Sequence, residues 1–150
     1  MKRFSIIIGL LVLSALYVSS QTVKKTITQT SQKSLQASIE RGKSVYLKTC
    51  ITCHQADGYG VPRLNPPLSK TEYVVGDKTR LIKIILNGLN EEIEIDGEYY
   101  SNPMPPLNTL SDQEIADVLT YVRNNFQNKA SAVTASQVKA VRSANKQLKP

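Results

Sequence analysis

Both cysteines and the single histidine of this 150-residue chain lie within five consecutive positions, Cys50-Ile51-Thr52-Cys53-His54. Two thiols three residues apart lie about one helical turn from each other, on the same side of a helix. The imidazole follows directly and is held close to them. The spacing therefore predicts that all three side chains act on one bound group, around which the rest of the chain must fold.

The pattern C-x-x-C-H is typical of the covalent attachment of a c-type haem. In that chemistry Cys50 and Cys53 bond the two vinyl groups of one porphyrin, and His54 ligates its iron. C-x-x-C alone has other interpretations: a redox-active dithiol, half of a zinc site, or two unrelated core cysteines. A thioredoxin-like dithiol needs a βαβ context, which is not visible before residue 50, and a zinc site needs a fourth ligand. These considerations favour the haem.

The N-terminal residues predict export from the cytoplasm. Lys2 and Arg3 precede an apolar run over residues 4–18, and small residues before position 21 suit cleavage after Ser20. The alternative is an uncleaved anchor, although the run is shorter than the roughly 20 residues that span a membrane. We expect residues 1–20 to be a signal peptide and the protein to be periplasmic, since haem is normally attached outside the cytoplasm.

The net charge of +7 comes from the ends of the chain. Between Leu35 and Asn128 there are nine basic and twelve acidic residues, so this central part carries a charge of −3. The basic residues at the two ends are scattered among Ser, Thr and Gln, without interleaved aromatic residues. We therefore expect no nucleic-acid partner, and a membrane association only through an uncleaved signal or the basic ends.

Hydrophobic periodicity predicts three main helices in the central part of the chain. A first helix is expected over 35–48, a second over 78–89 with Asp77 as its N-cap, and a last helix that a capping box opens at Ser111 and that ends near Phe126. Alternating apolar and acidic residues around Asp96-Gly97 predict a small β-hairpin over 91–100.

The two segments that flank these helices, after the apolar run and after the last helix, are polar. We expect residues 21–36 to be a flexible lead-in and residues 128–150 to be a basic, disordered tail. The small apolar residues of the tail offer at most a weak helix; they are Ala132, Val133, Val138, Ala140 and Val141.

Met104 is the one methionine besides the initiator, and it lies in the proline-rich segment 101–106, which we call the methionine loop. A thioether ligand favours ferrous iron and raises its potential, and prolines restrict the backbone that presents it. With one haem and no second histidine, Met104 is the expected second axial ligand. Alternatively, Met104 fills a gap in the core. The sixth position of the iron would then be taken by a lysine or would be open.

The order of these features resembles that of a class I monohaem cytochrome c domain of the small bacterial periplasmic type. The shared features are a helix, C-x-x-C-H, a proline-rich loop, a second helix, Met-Pro-Pro, and a helix opened by Leu-Ser-Asp-x-Glu-Ile. The resemblance covers about residues 37–127. It implies an all-α fold of three to four helices around one covalent haem, with Gly42 and Tyr46 of the first helix packed against Tyr121 of the last.

The resemblance also implies contacts around the haem. The carbonyl of Pro62 would accept a hydrogen bond from the ring of His54, which fixes the ring and strengthens it as a ligand. Asn102 would form a hydrogen bond near the sulfur of Met104. Three tyrosines would line the pocket or reach the propionates: Tyr73, Tyr99 and Tyr100.

A one-electron carrier is the function that these features predict, rather than an enzyme. Its partners would be redox proteins such as a dehydrogenase, a reductase or a terminal oxidase, which would approach an apolar haem rim flanked by the acidic hairpin. Three alternatives remain: the electron-accepting haem subunit of a periplasmic oxidoreductase such as a quinoprotein dehydrogenase, a haem enzyme or gas sensor with an open sixth site, and a non-haem dithiol module.

Overall fold

The structure is a computed structural model that describes residues 29–147. The chain divides into two compact units, Met1–Gln36 and Ala37–Pro150. The predicted signal peptide and its cleavage site lie outside the described residues. Within residues 29–147, no helix has both the length and the apolar character that crossing a membrane requires.

The described part of the chain is mostly helical with one small antiparallel hairpin, which confirms the predicted fold class. Helix α1 is described over residues 29–49. The later elements, in chain order, are α2 (Ile51–His54), α3 (Glu72–Val75), α4 (Lys78–Asn87), β1 (Ile93–Ile95), β2 (Glu98–Tyr100), α5 (Asp112–Arg123) and α6 (Ala135–Gln147).

The helix boundaries follow the local signals of the sequence. The side chain of Asp77 accepts the backbone N–H of Arg80 at 2.6 Å and so caps α4. Ser111 and Glu114 form the predicted capping box at the start of α5. Each of these caps satisfies backbone N–H groups that the helix itself leaves without partners.

The acidic hairpin, residues 91–100, also forms as predicted. β1 and β2 are antiparallel, and Ile93 lies opposite Tyr100. Asp96 and Gly97 both have positive φ, 53° and 82°, as a two-residue type I′ turn requires. Ile93 and Ile95 are buried while the acidic side chains are exposed, so the hairpin covers part of the core with one face.

Helix α1 crosses α5 at Gly42. A Cβ atom at this position would overlap the carbonyl of Asp117 and lie 2.8 Å from the Cβ of Tyr121. The ring of Tyr46 lies 5.4 Å from that of Tyr121 and 5.2 Å from that of Phe126, between centroids. The predicted contact of Gly42 and Tyr46 with Tyr121 is confirmed, because only a residue without a side chain lets the two backbones approach this closely.

The prediction of a disordered tail after residue 127 is wrong for residues 128–147. Helix α6 packs against α4 and α5, and both Val138 of the helix and Val133, which precedes it, are buried. The helix is stabilised by burial of its few apolar side chains against the rest of the domain. The polar composition of the segment does not reveal this packing. The flexible lead-in is likewise wrong for residues 29–36, which are helical, since each residue added to an existing helix contributes a hydrogen bond.

Candidate functional site

The four side chains predicted to hold the haem, two as covalent attachments and two as iron ligands, line one cleft: Cys50, Cys53, His54 and Met104. The cleft opens between α2, the prolines at 66 and 67, helices α4 and α5, the acidic hairpin and the methionine loop. Its aliphatic wall consists of Leu68, Val74, Leu81, Ile84, Ile85, Leu89, Ile93, Ile95, Val118, Leu119 and Val122. A largely apolar cleft with a few convergent donor atoms is the usual form of a cofactor site.

The two thiols are positioned by the junction of α1 and α2. The backbone N–H of Cys50 donates to the carbonyl of Tyr46 at 2.9 Å, and the N–H of His54 donates to the carbonyl of Cys50 at 3.0 Å. The motif therefore forms the helical turn that its spacing predicts. Both cysteines are free thiols, with Cys53 exposed and Cys50 half-buried. Burial raises the pKa of the Cys50 thiol.

The imidazole of His54 is buried, and its Nδ1 lies 3.0 Å from the carbonyl oxygen of Pro66. A carbonyl only accepts hydrogen bonds, so Nδ1 carries the proton and Nε2 keeps a free electron pair. Burial lowers the pKa of His54 and outweighs the opposing effect of the Pro66 bond. The ring is therefore neutral at neutral pH, the state in which imidazole ligates a metal.

The prediction that Pro62 holds the histidine ring is wrong. Pro62 lies exposed in a tight turn between Val61 and Asn65, which pair through their backbones, and Pro66 follows that turn. The signal in the sequence is the doubled proline. A residue that precedes proline is restricted to extended conformations, so the Pro66-Pro67 pair fixes the direction of the Pro66 carbonyl.

A glycine that the sequence analysis did not single out lets the loop close over this carbonyl. Gly60 has φ +66°, and its N–H donates to the carbonyl of His54 at 3.1 Å. A Cβ atom at Gly60 would overlap the carbonyl of Asn65 and lie 2.7 Å from the carbonyl oxygen of Pro66. The backbone on both sides of the His54 ring is therefore held by one close crossing of the loop.

Met104 is fixed by its backbone. Its N–H donates to the carbonyl of Leu89 at 2.8 Å, and the N–H of Leu89 donates back at 2.9 Å. Gly88, with φ +75°, makes this approach possible, since a Cβ there would overlap the Met104 carbonyl. The half-buried side chain packs against the core cluster. The backbone of the methionine loop is thus paired at Met104 itself, with a residue just after the end of α4.

The structure agrees only in part with the contacts predicted for Asn102 and the three tyrosines. Asn102 lines the cleft, and its side-chain N–H donates to Oδ1 of Asn65 at 3.1 Å. A bond from Asn102 to the sulfur of Met104 stays a prediction. Tyr73 and Tyr100 line the cleft, whereas Tyr99 is 55% exposed and is not part of its lining.

This chain is similar in sequence to known cytochromes c. The family described as Cytochrome c matches residues 39–126. The cytochrome c subunit of an alcohol dehydrogenase (quinone) from Gluconacetobacter polyoxogenes is 34% identical over 116 residues, which are 67% of this chain and 22% of that protein. The chain therefore spans about a fifth of that relative.

Two further relatives differ in length. The cytochrome c subunit of a gluconate 2-dehydrogenase from Pantoea cypripedii is 35% identical over 107 residues, which are 69% of this chain and 24% of the relative. A cytochrome c-552 from Thermus thermophilus is 35% identical over 85 residues, which are 54% of this chain and 64% of the relative. The region is thus similar both to a small protein and to part of larger dehydrogenase subunits.

Proposed function

Because the chain belongs to the cytochrome c family, whose members are haem-bearing electron carriers, we propose that it binds one haem c covalently in the apolar cleft and transfers single electrons between redox proteins of the periplasm. The observation that carries this proposal is the convergence on one cleft of two free thiols, a neutral imidazole and a thioether. The predicted signal peptide supports the location.

The donor set fits the group. Cys50 and Cys53 would form the two thioether bonds, and both are free to react. His54 would ligate the iron through Nε2, because Nδ1 is bound to the Pro66 carbonyl. Met104, on the methionine loop that lines the same cleft, would be the second ligand of the iron. A soft sulfur paired with an imidazole is a ligand set that raises the potential of haem iron.

When bound, the haem supplies an iron that alternates between the ferrous and ferric states. The chain's own residues control how it does so. The aliphatic wall excludes water and gives the site a low polarity, which disfavours the more highly charged ferric form. The hydrogen bonds of His54 with Pro66 and of Met104 with Leu89 would hold both ligands in similar positions in the two oxidation states. Both effects predict a positive midpoint potential and rapid electron transfer.

The acidic hairpin supplies charge beside the cleft. Its acidic side chains are exposed, and Glu91, Ile93 and Ile95 line the cleft itself. We place a docking surface here that combines an apolar rim with an acidic flank. Such a surface selects partners of basic or neutral charge and increases their rate of association at low ionic strength.

A second candidate function is that of an electron-accepting subunit in a dehydrogenase complex. It is favoured by the similarity to cytochrome c subunits of alcohol and gluconate dehydrogenases, in which the matching region is only part of a longer protein. Co-purification of the native chain with a larger catalytic protein would support this candidate. Isolation of the chain alone at full redox activity would support the independent carrier.

Covalent haem staining after denaturing electrophoresis tests the proposal directly. We expect the wild-type band to stain, and the Cys50→Ala/Cys53→Ala double variant not to stain. The two single variants each retain one thioether and control for loss of folding. A wild-type chain that is exported and remains unstained would contradict the haem and support the dithiol alternative. Rapid binding of carbon monoxide to the reduced protein would instead indicate an open sixth site.

A further inference from the structure

Helix α6 lies beyond residues 39–126, yet it is tied to the rest of the domain. The hydroxyl of Thr120 donates to the carbonyl of Val133 at 3.1 Å and accepts the N–H of Val133 at 3.0 Å. Arg123 donates to the carbonyl of Ser131 at 2.8 Å. Val138 is completely buried. The segment before α6 therefore fixes where this helix lies on α4 and α5.

One residue of α6 holds the chain that follows the methionine loop. Arg142 donates from Nη1 to the carbonyl of Asn108 at 2.8 Å, and from Nη2 to the carbonyl of Leu110 at 2.7 Å. Its Nε donates to Oδ1 of Asp112 at 2.7 Å. The planar guanidinium thus bridges three positions of one short segment, which a lysine cannot do.

Helix α6 also contacts the end of α4, just before Leu89, the residue that pairs with Met104 through its backbone. Asn145 donates from its side-chain amide to Oδ1 of Asn87 at 3.2 Å. Asn87 is the last residue of α4, two positions before Leu89, which pairs with Met104. Both segments that hold the methionine loop in place are therefore bonded to α6.

We propose that Arg142 is a positioning residue for Met104, and that α6 controls how readily the methionine loop moves away from the haem site. This inference rests on the proposed function, because it assumes that Met104 is an axial ligand. Loops open locally at a lower cost than the whole domain unfolds, and the hydrogen bonds at their ends set that cost. Loss of the Arg142 bonds would raise the population in which the sixth position is free.

The binding of imidazole to the oxidised, full-length, haem-bearing protein tests the inference. An external ligand binds only when Met104 has left, so its apparent affinity is proportional to the open population. We expect Arg142→Gln to increase the affinity for imidazole about tenfold, since charge-assisted hydrogen bonds at the end of the loop are lost. Arg142→Lys keeps the charge without the fork and should give an intermediate increase. The absorption that arises from sulfur ligation of ferric iron should weaken in the same order.

Arg41→Gln is the matched control. Arg41 also forms two short bonds to a carboxylate, that of Asp117, but it joins α1 to α5. The Arg41→Gln substitution should lower the stability of the protein to denaturant without changing its affinity for imidazole. Lys139→Gln, at an exposed position of α6, removes a charge only. An unchanged affinity in Arg142→Gln, or an equal increase in Arg41→Gln, would overturn the inference.

Met104→Ala separates this inference from the proposed function. If the sulfur absorption and the imidazole affinity of Met104→Ala equal those of the wild type, Met104 is not the ligand and the proposed ligation fails. If Met104→Ala increases the affinity strongly while Arg142→Gln and Arg142→Lys do not, only the role of Arg142 fails. Arg142→Lys also keeps the test open if Arg142→Gln does not fold.

Discussion

The carbonyl oxygen of Pro66 lies 3.0 Å from Nδ1 of His54 and so determines which ring nitrogen remains free for a metal. The bond orients the ring and increases its basicity as a ligand. The loop that carries Pro66 is in turn held by the close crossing at Gly60. Backbone geometry, rather than a second side chain, therefore orients His54, the proposed iron ligand.

Replacement of Gly60 by alanine should disturb this arrangement. The new Cβ would lie 2.7 Å from the Pro66 oxygen, in a residue with φ +66°. We expect Gly60→Ala to lower the free energy of unfolding by about 1–3 kcal/mol through this clash, in addition to the cost of placing alanine at a positive φ. The midpoint potential should rise, because a weaker bond to Pro66 makes His54 a poorer donor to ferric iron. Denaturant unfolding and redox titration measure the two effects.

Gly97→Ala is the matched control for this change. Gly97 has φ +82°, but a Cβ there would meet no atom within 4 Å. It should show the backbone strain without the clash, and its potential should equal that of the wild type. Equal effects of both substitutions would refute a role for Gly60 in positioning His54.

Removal of the sulfur of Met104 should lower the midpoint potential. Axial ligands set haem potentials over a range of roughly 0.8 V, and we expect a decrease on the order of 100 mV for Met104→Leu. Leucine has a similar volume, so the packing against the core should cost less than about 1.5 kcal/mol. Redox titration and the ferric absorption spectrum provide the measurement.

Met104→Ala serves as the comparison for Met104→Leu. It removes both the sulfur and the packing, so it should share the change in potential and lose more stability. A potential that remains at the wild-type value in both variants would show that Met104 is a core residue and not a ligand.

Asp117 makes the domain sensitive to acid. Its buried carboxylate accepts bonds from Ser38 at 2.6 Å, from Arg41 at 2.7 and 2.8 Å, and from Gln113 at 3.0 Å. Burial would raise its pKa, but these bonds outweigh burial and lower it. The contribution to stability is therefore complete above the unfolded pKa of about 3.9, and is lost as the pH falls through the lower folded pKa.

We expect Asp117→Asn to reduce stability at pH 7 by about 1–3 kcal/mol, since charged and polar donors lose their acceptor. The difference from the wild type should shrink as the pH falls below about 4. Unfolding curves at several pH values measure it. Glu98→Gln is the control. Glu98 lies 3.5 Å from its partner Arg63, both side chains are largely exposed, and exposed ion pairs contribute little to stability. A constant difference at every pH would contradict the assignment.

The acidic hairpin should favour cationic redox partners. Glu92→Gln/Glu94→Gln/Asp96→Asn removes three exposed charges, and asparagine tolerates the φ of 53° at position 96. We expect the rate of oxidation by a small cationic metal complex to fall by up to about tenfold at low ionic strength. Stopped-flow absorption of the haem follows the reaction.

An anionic complex of similar potential provides the control for the hairpin. Its rate should rise in the triple variant, and the two rates should converge as salt screens the charges. Rates that do not depend on ionic strength, or that fall equally for both complexes, would show that electrons do not leave beside the hairpin.

Most of the local structure could be predicted because its causes are local. The capping box at Ser111, the N-cap at Asp77 and the turn at Asp96-Gly97 each depend on residues within a few positions of one another. The spacing of Cys50, Cys53 and His54 is local in the same sense, since one helical turn brings the three side chains together. The sequence by itself thus determined the candidate ligands, the main helices and the family.

The tertiary structure decided which distant residues support those ligands. His54 bonds to Pro66 rather than Pro62, because Pro66 follows a tight turn. Leu89 pairs with Met104, and α6 docks through Arg142, although these partners are far apart in the chain. A proline or an arginine looks the same in the sequence wherever it lies. Its partner depends on how the whole core packs, because burial and loop closure contribute free energy only after the domain has formed.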